Sequence, residues 1–151
     1  MQLQQQVKNK KEKVEEVHSN GFIVKPAQLE LVVPKEWGHE EWIVNKPAYC
    51  GKKLVFKAGY QCSMHHHKVK DETFYVQSGK VALETEYKGK SELRIMTPGD
   101  TAHMVPEMWH RLTALVPSEV MEFSTFHRED DSYRKTSSGK ADFKAMGLEN
   151  L

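Results

Sequence analysis

Cysteine is scarce in this chain: 151 residues hold only Cys50 and Cys62. Two separated thiols form no CxxC pair, no zinc-binding cysteine cluster and no disulfide framework, so both are read as free. Long hydrophobic runs are missing too. No stretch approaches the roughly 20 apolar residues that cross a bilayer, and the opening MQLQQQVKNKKEKVEEV has no apolar core of the kind a signal peptide needs. An excess of one charge is also lacking. Lys and Arg number 22 against 21 Asp and Glu, a formal net charge of +1, which leaves no global field to attract nucleic acid or an acidic membrane surface. These absences predict a soluble cytoplasmic protein with neither nucleic acid nor membrane as a partner. The length suits one domain with one core.

The chain changes character at three points. Residues 1–20 are polar and rich in helix formers, with Leu3, Val7, Val14 and Val17 near one face. They predict a short N-terminal helix that must pack on another surface. Residues 21–134 carry short β-branched and aromatic runs, such as KLVFKA, ETFYVQ, KVALETEY, WHRLTALV and EVMEFSTF. Gly, Pro, Asp and Ser clusters separate them, which predicts an all-β sandwich or barrel. Residues 135–151 lose the alternation and read as a C-terminal tail with a mobile end. The apolar helix stripe and the open edges of a sheet point to a homodimer.

The stretch GYQCSMHHHKVKDETFYVQSGK, residues 59–80, holds three of the eight histidines side by side. Side chains alternate faces along a strand. His65 and His67 therefore point one way and His66 the other. Glu72 alternates in phase with Phe74 and Val76, which puts a carboxylate on an apolar inner face. That is costly unless the carboxylate is paired or bound to a cation. His110 alternates in phase with Leu112 and Ala114 and so faces the same core. Two in-phase histidines, an in-phase glutamate and a distant in-phase histidine together predict a metal site.

These residues resemble the cupin superfamily. Gly59, His65, His67, Glu72 and Gly79 occupy every position of the first cupin motif. The second motif is looser. Gly99 and His110 are in place, but Val105 stands where Pro is usual, Glu107 where Gly is usual, and Ala114 where Asn often ends the motif. The resemblance implies a double-stranded β-helix, a jelly-roll barrel. It also implies His65, His67, Glu72 and His110 as ligands of one divalent transition metal, with Mn, Fe, Co, Ni and Zn all suited to that donor set.

Three further stretches are similar to sugar-phosphate cupins, in particular the type II phosphomannose isomerase module. They are PKEWGHEEWIV at 34–44, SMHHHK at 63–68 and EDDSYR at 129–134. Ser63 and Lys68 depart from the Gln and Arg of that module. The resemblance implies an isomerase or epimerase acting on a small sugar or sugar phosphate through an enediolate, with Glu122 as general base and Lys68 and Arg134 orienting an anionic group. Glu107 and His103 stand behind Glu122 as bases. The register of VMEFSTF is open. If Val120, Glu122 and Ser124 face inward, Glu122 enters the cavity, whereas hydrophobicity favours Met121 and Phe123 inside. The alternative functions are a non-catalytic sugar- or effector-binding cupin and an Fe(II)-dependent dioxygenase.

Overall fold

The computed structural model describes residue 29 and residues 31–151. The helix predicted over residues 1–20 lies outside the described residues. The regular structure of the rest is nearly all strand, in two antiparallel sheets, as the alternating runs predict. One sheet is built from β1 (Leu31–Lys35), β2 (Gly38–Lys46), β3 (Tyr49–Phe56), β11 (Ser118–Ser124), β6 (Glu72–Ser78) and β9 (Thr101–Met104), hydrogen-bonded in that order. The other centres on β10 (Trp109–Ala114). It pairs on one side with β7 (Val81–Tyr87), which carries β8 (Lys90–Met96), and on the other with the short segments β4 (Tyr60–Gln61) and β5 (His65–His66). β12 (Tyr133–Arg134) extends β5, and β13 (Gly139–Lys140) extends β4.

Period-two patterning places the core. Phe74 and Val76 of β6, Val120 of β11, and Leu54 and Phe56 of β3 point inward from one sheet. Val81, Leu83 and Leu112 meet them from the other. Trp37 closes one end of this core and stacks on Phe56 with ring centroids 4.2 Å apart. Burying each such side chain contributes roughly 1.5–3 kcal/mol. Among the described residues, no helix is long and apolar enough to cross a membrane.

The tail differs from its expectation. Gly139 and Lys140 pair with Gln61 and Tyr60, the Ala141 N–H donates to the Gly59 carbonyl at 2.8 Å, and Leu148 is buried. β4 leaves an open edge, and the returning chain satisfies its backbone groups. That gain was invisible in the local composition of the tail.

Turn chemistry demands glycine at Gly79. It adopts φ +89°, and a Cβ there would collide with Ser118 Oγ and sit 2.5 Å from the Pro117 carbonyl oxygen. Gly89 has φ +76° with open space around it. Gly89→Ala should therefore cost only the left-handed penalty, about 1–2 kcal/mol. Gly79→Ala should cost clearly more, because backbone must also move. Chemical denaturation of the two variants checks this, and equal losses would refute the close-approach account.

Candidate metal centre and adjoining cavity

His65 and His67 reach the site from β5 and the residue after it, Glu72 from the start of β6, and His110 from β10. Each of the four offers one ligand atom, and these atoms lie within 4.8 Å of one another. His110 directly opposes His65 across the β10–β5 pairing. His66 points away and packs on Trp109, with ring centroids 4.2 Å apart.

The imidazoles are oriented by backbone carbonyls. Nδ1 of His65 lies 2.8 Å from the Ser63 carbonyl oxygen, Nδ1 of His67 lies 2.8 Å from that of Asp131, and Nδ1 of His110 lies 2.9 Å from that of Met108. A carbonyl only accepts, so each Nδ1 carries the proton and each Nε2 presents a lone pair. Metal-binding histidines are held in the same way. Burial pushes His65 down to about 3 and, as the largest influence, also lowers His67. Both are therefore neutral, the form that ligates a metal.

Glu72 Oε1 and His110 Nε2 are both buried without a hydrogen bond, although only 2.7 Å separates them. The distance would suit a hydrogen bond, but His110 has its proton on Nδ1 and its Nε2 has none to donate. Two buried acceptors facing each other need a cation between or beside them. His65, His67, Glu72 and His110 thus form a group that could hold a metal ion, and their donor chemistry fits a divalent transition metal.

Lys70 lies beside this group and was not singled out from the sequence. Its ammonium is buried and contacts Glu122 Oε2 at 2.6 Å, Glu72 Oε2 at 3.2 Å and His127 Nδ1 at 3.1 Å. Burial disfavours its charge, but Glu122 and Glu72 outweigh burial and hold its pKa above the ordinary value. Burial likewise opposes ionisation of Glu72, yet the Lys70 ammonium beside its Oε2 favours the ionised form and its carboxyl lies below the usual range. Burial and the charge of Glu72 push Glu122 the other way, upward, against Lys70. His127 is lowered to about 4 by burial and by Lys70, so it accepts from Lys70 and donates through Nε2 to Glu129.

A cavity of about 90 Å³ opens above His65 and His67. Lys52, Lys70, Glu122, His127 and Arg134 are among the residues in its walls. Glu122 is buried while Phe123 is 54% exposed, so β11 adopts the register that hydrophobicity argued against. Arg134 lies at the mouth. Lys68 does not line the cavity. It is exposed, with its ammonium 4.3 Å from the Tyr133 ring centroid. His103 is also outside, on the outer face of β9, where it pairs with Asp71 at 2.8 Å. Glu107 is exposed on the turn before β10.

Asp131 was legible only as part of a motif. Its carboxylate accepts from the N–H groups of Lys68 at 2.9 Å, Val69 at 3.2 Å and Lys70 at 3.0 Å, while its carbonyl orients His67. It thus holds the loop that delivers both Lys70 and the His67 ring.

Two outcomes follow for metal content. His67→Ala should abolish stoichiometric metal in protein purified without chelator, while His66→Ala leaves it, as read by elemental analysis. Asp131→Ala should weaken metal affinity by roughly 10–100-fold without removing a ligand, measured by competition with a chelating dye. Unchanged affinity would show that Asp131 does not position the site.

Residues 53–125 match the cupin domain family. No curated protein sequence matches the chain. Among solved structures, oxalate decarboxylase from Bacillus subtilis aligns with a TM-score of 0.64 at 17% identity, over 70% of this chain and 30% of its own. The chain thus spans under a third of that protein, and the likeness is one of fold. The Bacillus subtilis enzyme carries Mn(II) centres. KdgF from Halomonas sp. aligns with a TM-score of 0.52 at 28% identity, over 61% of this chain and 81% of its own. These matches reach the cupin level and do not extend to the phosphomannose isomerase module. The two-sheet, nearly all-β topology is consistent with the cupin domain that residues 53–125 match.

Proposed function

We propose that this protein is a metal-dependent isomerase or epimerase of a small sugar or sugar phosphate. The observation that carries the reading is the position of Glu122. It is a buried carboxyl in the wall of the same cavity that His65 and His67 line, and burial pushes its pKa upward. A general base works best when its pKa approaches the working pH, and neighbouring carboxylates driven apart in pKa mark acid–base assignments.

His65, His67, Glu72 and His110 would hold the ion. A divalent metal there would supply a Lewis acid for negative charge developing on a carbonyl oxygen. Glu122 would take the proton from the carbon beside the carbonyl, leaving an enediolate. It would return that proton to the neighbouring carbon for isomerisation, or the protein would reprotonate the same carbon on its opposite face for epimerisation. Lys70 fixes the Glu122 carboxyl through its 2.6 Å contact. Arg134, at the cavity mouth, would orient an anionic group of the substrate. Lys68 is left out of this set because it lies outside the cavity. The proposal includes a homodimer, supported by exposed Leu31 and Val32 on the edge strand β1.

Anaerobic incubation of the metal-loaded protein with aldoses, ketoses and their phosphates in deuterated water, read by NMR, tests the reading. Deuterium should enter at the carbon beside the carbonyl. Glu122→Gln should slow that exchange by roughly a hundredfold or more with metal content intact, the size expected for loss of a general base. Turnover that strictly consumes dioxygen would place the protein among dioxygenases. Specific sugar binding without exchange would make it a binding module.

A further inference from the structure

Two lysines are buried in this cavity, and their surroundings differ. Lys70 uses its ammonium fully, with contacts to Glu122, Glu72 and His127 at 2.6, 3.2 and 3.1 Å. Lys52 is 1% exposed, among the most completely buried large side chains described, yet its ammonium makes no hydrogen bond to any of the described residues. Its nearest charge is Glu40 Oε2 at 3.5 Å, beyond the 2.7–2.9 Å of a charge-assisted hydrogen bond. That same oxygen already accepts the Trp42 indole N–H at 2.8 Å. The Trp42 ring centroid lies 4.0 Å from the Lys52 ammonium. Among the described residues Lys52 is thus held by a charge and an aromatic face, with no acceptor at hydrogen-bond geometry.

Its place in the fold makes this informative. Lys52 lies on β3, directly opposite Glu122 of β11 on one side and Trp42 of β2 on the other. It shares the inner face with Glu122 and lines the same cavity. Lys35 and Arg134 line it as well. An ammonium taken out of water without hydrogen bonds is destabilising unless something in the working protein supplies acceptors.

We propose that Lys52 anchors an anionic end group of the ligand, a carboxylate or a phosphate, on the β3 wall of the cavity. The inference rests on the small-molecule reading of that cavity and adds a positioning residue to it. The anionic group would accept from the Lys52 ammonium, with Arg134 reaching it from the mouth. Lys70, its donors occupied, takes no part in binding the anion.

Three ligands on one skeleton test this: glycerol, glycerate and glycerol phosphate, titrated calorimetrically into the metal-loaded protein. At least one of the anions should bind more tightly than glycerol. Lys52→Met should weaken that anion roughly tenfold or more, the worth of one charge-assisted hydrogen bond, and leave glycerol unchanged. The anion that loses affinity identifies the group. The double variant Lys52→Met with Glu40→Gln removes both charges and leaves an oxygen for the Trp42 indole. It keeps the test open if the single variant fails to fold, and it should show the same loss. An anion bound equally by wild type and both variants would overturn the proposal, since the metal or Arg134 would then suffice. So would glycerol binding as tightly as either anion in the wild type. These readings are independent of turnover. Lys52-dependent binding without deuterium exchange would refute the isomerase reading alone, and exchange with Lys52-independent binding would refute the anchor alone.

Discussion

The inner barrel is organised around one buried carboxylate. Glu72 is 2% exposed and alternates along β6 with Phe74 and Val76 of the apolar core. An isolated carboxylate there would be penalised by several kcal/mol. Its two oxygens divide the solution. Oε2 faces the Lys70 ammonium, and Oε1 faces the Nε2 atoms of His110 and His67. Lys70 compensates the charge within the protein. The imidazoles, protonated on their far nitrogens, cannot, and a cation would complete that half of the arrangement.

Much of the surrounding chain holds those groups in place. The loop 68–70 is fastened by Asp131, which lies more than sixty positions later in sequence and accepts three successive N–H groups. The same residue orients His67 through its carbonyl. Glu107 adopts φ +70° where the family motif usually has glycine, and its N–H donates to the His67 carbonyl at 2.6 Å. A non-glycine residue is unfavourable in that conformation. Here the hydrogen bond to a residue of the site offsets part of that penalty.

One lysine serves two glutamates. Lys70 lies between Glu72 and Glu122, so a single positive charge is shared by two carboxyls, and these are driven in opposite directions. Glu72 stays ionised as the candidate ligand, while Glu122 gains the proton affinity that suits a base. His127 and Glu129 continue the contacts from Lys70 toward the surface. On the adjacent strand β3, Lys52 makes no hydrogen bond to the described residues. The cavity thus has one saturated ammonium and one unsaturated ammonium.

The sequence by itself determined the inner set. Strand parity put His65, His67, Glu72 and His110 on one face and His66 on the other, because the period of a strand is two whatever its neighbours. The all-β architecture followed from the same alternation. Parity could not choose the register of β11. Met121 and Phe123 argue for one face and Glu122 for the other, and pairing with both β3 and β6 decided it, leaving Phe123 in solvent. Nor could local reading tell Lys68 from Lys70. Both lie in an irregular loop with no fixed period, and only Asp131, arriving from the end of the chain, turns one outward and buries the other. The tail was opaque for the same reason. The β13–β4 pairing derives its stability from an edge formed about eighty residues earlier, and Leu148 is buried after it. Lys52 reads in sequence as one of many surface charges. It becomes distinctive only when β2 and β11 close around it and leave its ammonium without a hydrogen bond to the described residues, because burial and pairing belong to the assembled sheets and not to any one strand.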